Sequence, residues 1–156
     1  MKDDPTHRSL IIWVLTSLQF LLGLGAPMSG LILILAPDGH VMQMPLDMLK
    51  TTSFSAFLFL GILLFIFVGM YPLAVAYSLF ERPSWSWPDV VNPFKNRYWA
   101  WAASLTVGVI VIIWMCVQVI TFGTIHFLHV LYLGWGVAII LLTLYPSVRR
   151  KYARTI

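Results

Sequence analysis

Residues 54–79 read FSAFLFLGILLFIFVGMYPLAVAYSL, a run of 26 positions without a single Asp, Glu, Lys or Arg. A transmembrane α-helix needs about 20 mainly apolar residues, so this run predicts a membrane-spanning helix. Three further apolar runs, at about 9–35, 99–120 and 127–145, meet the same criterion. We therefore predict an all-α fold, in which residues 1–156 form a single integral membrane domain built as a four-helix transmembrane bundle.

The composition supports the same conclusion. Hydrophobic residues make up 60% of the chain and charged residues only 10%, whereas about 25% of a soluble domain is charged. Too little polar surface remains to cover the apolar exterior, so the lipid bilayer is the predicted partner of that surface. The net charge of +4 comes from residues at the ends of the spans, and we expect no nucleic acid partner. The one cysteine, Cys116, excludes an internal disulfide and is predicted to be buried.

The basic residues lie almost entirely on one side of the predicted bundle. Nine of the ten Lys and Arg residues precede the first span, separate the second from the third, or follow the fourth; only Lys50 lies on the other side. Because Lys and Arg are retained in cytoplasmic loops, this asymmetry predicts that both termini are cytoplasmic. The nine residues are Lys2, Arg8, Arg82, Lys95, Arg97, Arg149, Arg150, Lys151 and Arg154.

The three connections have different predicted structures. The first outer loop contains Pro45 followed by Leu-Asp-Met-Leu, which predicts a short helix lying at the membrane interface. The inner loop at 81–98 holds Pro83, Pro88 and Pro93, so it cannot form one continuous helix. The turn at 121–124 is short, and spans three and four are therefore predicted to be antiparallel neighbours.

Small residues follow one face of each span, which predicts close helix packing. Lipid provides no hydrophobic drive for helices to associate, so small side chains that let backbones approach become important. Pro27 and Pro72 are expected to kink their helices. The amide of Gln19, near the middle of span one, is expected either to bond to another helix or to contact a ligand. The predicted packing residues are Gln19, Gly23, Gly30, Gly61, Gly69, Ser104, Gly108 and Gly134.

Histidines and methionines suggest the one candidate site for chemistry. Imidazole and thioether groups together suit a soft metal such as Cu(I). The alternative is that these are ordinary interfacial side chains. No catalytic motif accompanies them, so no catalytic residue is assigned and the sequence favours a protein that is not an enzyme. The candidate copper ligands are His40, Met42, Met44, His126 and His129.

Three stretches give the chain a likeness to other proteins. They are APDG at Ala36–Gly39, MPL at Met44–Leu46 ahead of Leu49 and Phe54, and YPSVRR at Tyr145–Arg150. In these stretches the chain resembles an uncharacterised family of small four-pass bacterial membrane proteins. The resemblance implies a four-helix bundle in a bacterial plasma membrane. It implies no activity, substrate or cofactor.

These features leave three hypotheses for function. The first is a non-enzymatic membrane module, either a subunit of a larger membrane complex or a homo-oligomer. The second is a binder or carrier of a lipid or small apolar molecule, held among kinked helices. The third is a copper-like metal or redox site on the outer face.

Overall fold

The computed structural model describes residues 10–50 and 56–154, and this part of the chain is all-helical. Two 3-10 turns, at His40–Met42 and Leu46–Leu49, lie between the first two helices. The second of these turns is a 3-10 turn of four residues that follows Pro45, where the sequence predicted a short interfacial helix. The helices are α1 (Leu10–Leu35), α2 (Leu58–Glu81), α3 (Trp87–Val91), α4 (Trp99–Phe122), α5 (Phe127–Leu144) and α6 (Pro146–Lys151).

Four of these helices, α1, α2, α4 and α5, are long and apolar enough to cross a membrane, which confirms the predicted number of candidate spans. Their ends lie close to the predicted ones, although the predicted starts at residues 9 and 54 lie outside the described residues. The second helix begins at Leu58 because the preceding Phe57 is fixed in another role: its amide donates to the Pro37 carbonyl over 2.8 Å and its ring is fully buried.

The second span is not a uniform α-helix. From Leu64 to Met70 it widens into a π-helix, in which the Tyr71 amide donates to the Ile66 carbonyl five residues back. Pro72 follows directly. A proline ring inside a helix clashes with the carbonyl four residues before it and supplies no N–H, and a wider turn accommodates both effects. The sequence predicted a kink at this proline, and the structure has the π-helical stretch.

The first two spans pack backbone against backbone. A β-carbon added at Gly30 would lie 2.7 Å from the Phe65 amide nitrogen, and one at Gly61 would lie 2.9 Å from the Gly30 carbonyl oxygen. These distances are too short for a real β-carbon, so only glycine permits this approach. The backbones of the two helices therefore come into direct contact at Gly30 and Gly61, as small residues allow in membranes.

The same seam continues along α1 and α2 with side chains facing glycines. The Pro27 ring fills the space in front of Gly69, where an added β-carbon would lie 2.5 Å from the proline Cγ. Gly23 faces the Leu73 side chain in the same manner. All four glycines predicted for this pair thus lie in the contact between α1 and α2.

The last two spans form the second pair, and here the structure corrects one residue. A β-carbon at Gly108 of α4 would lie 2.8 Å from the Gly136 carbonyl oxygen of α5 and 2.5 Å from the Ile140 Cγ1. Gly134, the predicted contact residue, has no atom within 4 Å of the place where a β-carbon would stand. Two positions along an α-helix correspond to roughly 200° around its axis, so Gly136 faces α4 and Gly134 faces outward. Cys116, predicted to be buried, is likewise exposed.

The two pairs pack side by side through contacts of α2 with α4 and of α1 with α5. At one end of the bundle lie residues 82–98 and the C-terminal segment 145–154, which we call the basic end. At the other end lie residues 36–50 and the turn at 123–126, which we call the histidine end. Large apolar side chains are exposed along all four long helices between these ends.

Candidate functional site

A chain of polar side chains crosses the interior of the bundle and joins the two helix pairs. The Gln19 Nε2 donates to the Ser104 Oγ over 2.6 Å, and the Ser104 Oγ lies 2.7 Å from the Thr143 Oγ1. The Thr143 hydroxyl donates to the Ile139 carbonyl over 2.7 Å. All three polar side chains are fully buried. Residues of α1, α4 and α5 are thereby connected in one network.

Counting hydrogens fixes the direction of this network. The single proton of the Thr143 hydroxyl is used on the Ile139 carbonyl, so the Ser104 hydroxyl must donate to Thr143 and accept from Gln19. The donors therefore follow one direction: α1 donates to α4, and α4 donates to α5. This arrangement supports the interpretation of Gln19 as an interhelical bond. The amide oxygen, Oε1, is buried and has no hydrogen-bond partner in the described part of the chain.

Some members of the network were not predicted. Thr143 and Trp101 belong to it, because the Trp101 indole Nε1 donates to the Thr143 carbonyl over 2.9 Å. A second indole, that of Trp135, donates to the Leu18 carbonyl over 3.1 Å. The signal that could have identified Thr143 is the one that identified Gln19, an isolated polar residue within an apolar run, since lipid provides no partner for it.

At the histidine end, His40 is paired locally. Its Nδ1 lies 2.6 Å from the Asp38 Oδ1, and the His40 amide donates to the same oxygen over 3.3 Å. These hydrogen bonds from His40, the side-chain bond first, lower the pKa of Asp38 below its ordinary value. The ring therefore presents Nε2 outward, and its side chain is 69% exposed. A carboxylate behind an imidazole is the usual support of a histidine that binds metal.

The two histidines of α5 are used differently. The His126 amide donates to the His129 Nδ1 over 3.0 Å, which satisfies an N–H at the start of the helix. The rings stack with centroids 5.7 Å apart, and the His126 Nε2 lies 3.2 Å from the Thr124 Oγ1. Because the His129 Nδ1 accepts a hydrogen bond, its proton is on Nε2. That nitrogen has no lone pair to offer a metal until the tautomer changes and the helix-start bond is lost.

The two methionines among the candidate copper ligands, Met42 and Met44, pack against a small apolar cluster of Leu33, Leu49 and Phe57. Phe122 packs against the same cluster. Within residues 10–50 and 56–154, no bond or ring contact links His40 to His126 or His129, and no three His, Cys, Asp or Glu side chains form a group that could hold a metal ion. The copper hypothesis involves thioether ligands as well, and it stays a prediction.

A surface groove of about 780 Å³ runs between α1 and the second half of α2. Its walls are mostly aromatic and aliphatic, and the Thr16 hydroxyl at its border is buried without a hydrogen-bond partner among the described residues. The walls are formed by Trp13, Thr16, Ser17, Phe20, Leu21, Leu73, Ala76, Tyr77, Phe80 and Glu81. No family model, curated protein or solved structure matches this chain.

Proposed function

We propose that this chain is a non-enzymatic integral membrane module that acts by binding a further transmembrane helix, of another subunit or of a second copy, on the outer face of α5. The observation that carries the proposal is Gly134, which lies open on that face with no atom within 4 Å of its β-position. Glycine has low helix propensity, and an outward glycine in a span is useful where another helix approaches closely.

The residues around Gly134 support this proposal. Val130 lies four residues before Gly134, and Val137 and Leu141 lie three and seven residues after it, on the same face; their exposed fractions are 59%, 46% and 62%. The inward seam of α1 uses the same spacing at Gln19, Gly23, Ala26 and Gly30. The buried side chains of Gln19, Ser104 and Thr143 bond in one chain that joins α1, α4 and α5, which is a structural use of these polar groups and fits a non-enzymatic module.

The experiment compares Gly134→Leu with the parent chain in mild detergent. Because no atom of the described residues lies within 4 Å of the β-position of Gly134, the variant should melt at the parent temperature. Its oligomeric mass, or its recovery of a co-purified subunit measured by light scattering and mass spectrometry, should fall. Gly25→Leu, at an open glycine of a different span, α1, serves as the matched control and should associate normally. Unchanged association of Gly134→Leu would contradict the proposal.

We further propose a bacterial plasma membrane location with the basic end and both termini in the cytoplasm. The support is the asymmetry of the Lys and Arg residues, nine of ten on one side. The turn at Leu46–Leu49 then lies at the interface of the plasma membrane that faces away from the cytoplasm. Trp85 stacks on Trp87 and Trp99 at the basic end, which is typical of the aromatic belt at a membrane surface.

Cysteine labelling of intact cells tests this topology in a Cys116→Ser background. His40→Cys should react with a membrane-impermeant maleimide, whereas Val90→Cys should react only after the cells are permeabilised. Both positions are exposed, Val90 to 79%, so accessibility within the fold does not limit either reaction. The reverse labelling pattern would invert the proposed orientation.

The second candidate function is the binding of a lipid or small apolar molecule in the groove between α1 and α2. The specific observation is the Thr16 hydroxyl, buried at the border of an apolar groove and left without a partner in the described residues. A buried hydroxyl normally bonds, and a polar atom of a ligand would satisfy it.

Ser17→Phe tests this second candidate because Ser17 borders the groove and is exposed. The added ring should fill the groove and reduce the amount of co-purified small molecule measured by mass spectrometry. Val14→Phe adds an exposed ring outside the groove walls and should retain the molecule. Equal retention by both variants would dismiss the groove as a binding site.

A further inference from the structure

A second cavity, of about 400 Å³, lies at the basic end, and we call it the basic groove. Three of its six wall residues are arginines and the other three are apolar, and none is acidic. It is lined by Arg97, Leu144, Pro146, Arg149, Arg150 and Ala153. We propose that the basic groove binds the phosphate group of an anionic phospholipid.

The guanidinium of Arg97 is held in place by uncharged groups. Its Nη1 donates to the Arg149 backbone carbonyl over 2.7 Å, and the cation lies 4.6 Å from the centroid of the Trp101 ring. The backbone at Arg97 is itself fixed, since it pairs with Ala153 in an isolated antiparallel bridge. These contacts orient the guanidinium without neutralising its charge.

The ion-paired carboxylate at the basic end, that of Asp89, bonds to an arginine outside the groove walls. Within the described part of the chain there are three ion pairs, and the one at the basic end joins Asp89 to Arg154 over 2.9 Å. None of the three involves an arginine of the groove. Burial, followed by repulsion from Arg149, lowers the pKa of Arg97 below its ordinary value. A bound anion would remove this repulsion, and guanidinium is the side-chain group best suited to phosphate oxygens.

The apolar side of the groove indicates that the phosphate belongs to a lipid. Leu144 is the last residue of α5, a candidate membrane span, and Pro146 begins α6 after the single intervening residue Tyr145. The groove therefore starts where the span ends, with its aliphatic wall next to the apolar surface of the bundle. A free phosphate ion would make no apolar contact with that wall, whereas the glycerol and upper acyl chain of a phospholipid would cover it. Basic clusters at this depth attract anionic lipids.

The test uses the full-length chain in mild detergent with added phosphatidylglycerol or phosphatidylcholine, and native mass spectrometry measures the bound lipid. The parent chain should retain phosphatidylglycerol in preference to phosphatidylcholine. Arg149→Gln should weaken phosphatidylglycerol retention by roughly tenfold, as expected when a charged hydrogen bond is lost. Lys151→Gln removes the same charge from a neighbouring position outside the groove walls and should retain the parent preference.

Two results would overturn the proposal. One is equal retention of phosphatidylglycerol by the parent chain and Arg149→Gln. The other is displacement of the lipid by millimolar inorganic phosphate, which would identify a soluble phosphate as the ligand. If Arg149→Gln fails to fold, Arg150→Gln tests the same groove, because among the described residues the Arg150 side chain makes a single long bond, 3.3 Å from its Nε to the Pro146 carbonyl. Neither variant alters the outer face of α5, so the result does not depend on the association proposed for Gly134.

Discussion

The two ends of the bundle are closed in different ways. At the basic end, hydrogen bonds join residues far apart in sequence: the Tyr152 hydroxyl donates to the Leu79 carbonyl over 2.6 Å, and the Tyr98 amide donates to the Tyr152 carbonyl over 2.9 Å. At the histidine end, Asp38 bonds to His40 and Asp47 to Lys50, residues two and three positions apart. An apolar cluster around Phe57 completes that end.

This difference separates a preorganised surface from a locally ordered one. Long-range bonds hold the loop at 82–98 against the C-terminal segment, so the backbone of the basic groove and the Arg97 guanidinium keep their positions before any ligand arrives. Local bonds at the histidine end fix individual rings but do not bring His40 to the histidines of α5. A binding site needs side chains held by packing and by further hydrogen bonds. The basic end meets this requirement better than the end with the predicted metal ligands.

The largest effect should come from removing the residue that closes the basic end. Tyr152 is 2% exposed, its ring stacks on Tyr98 with centroids 6.3 Å apart, and the Arg82 guanidinium lies 4.5 Å from the ring centroid. Tyr152→Ala should lower the free energy of unfolding by about 3–5 kcal/mol, as for other large buried rings. Tryptophan fluorescence during thermal unfolding in detergent measures the change.

A matched variant at the same end separates the effect of burial from the effect of removing any tyrosine side chain. Tyr145 is 50% exposed, and Tyr145→Ala should change the free energy of unfolding by no more than about 0.5 kcal/mol. Tyr152→Phe keeps the ring but loses the bond to Leu79, at a cost of about 1 kcal/mol. If Tyr152→Ala and Tyr145→Ala melt alike, the basic end is not closed as described.

The second-largest change in the free energy of unfolding should come from the glycine contact between α1 and α2, in the half of the bundle nearer the histidine end. A β-carbon at Gly61 would lie 2.8 Å from the Leu33 Cβ and 2.9 Å from the Gly30 carbonyl oxygen. Gly61→Ala should therefore force the helices apart and cost about 1–3 kcal/mol, in the range of overpacked cores. Gly134→Ala adds the same methyl group in open space and should stabilise its helix by about 0.5–1 kcal/mol. Opposite signs in the two melting curves are the expected result, and equal signs would mean that the seam is misplaced.

The sequence predicted the four long helices but not how they meet in detail. Helix limits follow from the distribution of apolar and charged residues, which is local information. The choice between Gly134 and Gly136 depends on the rotation of α5 towards α4, and both glycines fit a small-residue pattern. The π-helical stretch before Pro72 was expected only as a kink. The bonds of Tyr152 to Leu79 and to Tyr98 span many residues and leave no periodic pattern to detect.

For the candidate site, too, the sequence identified individual residues but not all of their contacts. The polar residue Gln19 within an apolar run indicated an interhelical bond, and Ser104 was identified, although only as a small residue. The copper ligands were grouped because the predicted topology places them on one face of the membrane. Whether such residues touch depends on how the loop at 36–50 folds, and its backbone is shaped by left-handed positions at Gly39 and Gln43 (φ 75° and 55°) and by the bond from Phe57 to Pro37.

A smaller effect should follow from removing the helix-start bond of α5. The His129 Nδ1 accepts the His126 amide at an exposed position. His129→Ala should cost about 0.5–2 kcal/mol, the range found for other capping residues. Hydrogen exchange of the first turn of α5 should speed up while the exchange of the basic end is unchanged. Faster exchange at the basic end as well would show that the two ends are coupled, which the local bonding of the histidine end argues against.

The smallest effect is expected from adding Cu(I), because only one of the predicted ligands is ready to bind. The His40 Nδ1 bonds to Asp38 and its Nε2 has no bond to a described residue, whereas the His129 ring must give up its bond to His126 before it can bind. Titration with Cu(I) against a competing chelator should therefore show weak binding that His40→Ala abolishes and His129→Ala leaves unchanged. Asp38→Asn should weaken it by roughly tenfold, since the carboxylate supports the ring as in other metal sites. If the parent chain binds no Cu(I), the histidines and methionines serve only in the local structure of this end. If His129→Ala also abolishes binding, the loop must rearrange to bring His40 to α5. The contrast between a preorganised basic end and a locally ordered histidine end would then describe the metal-free chain alone.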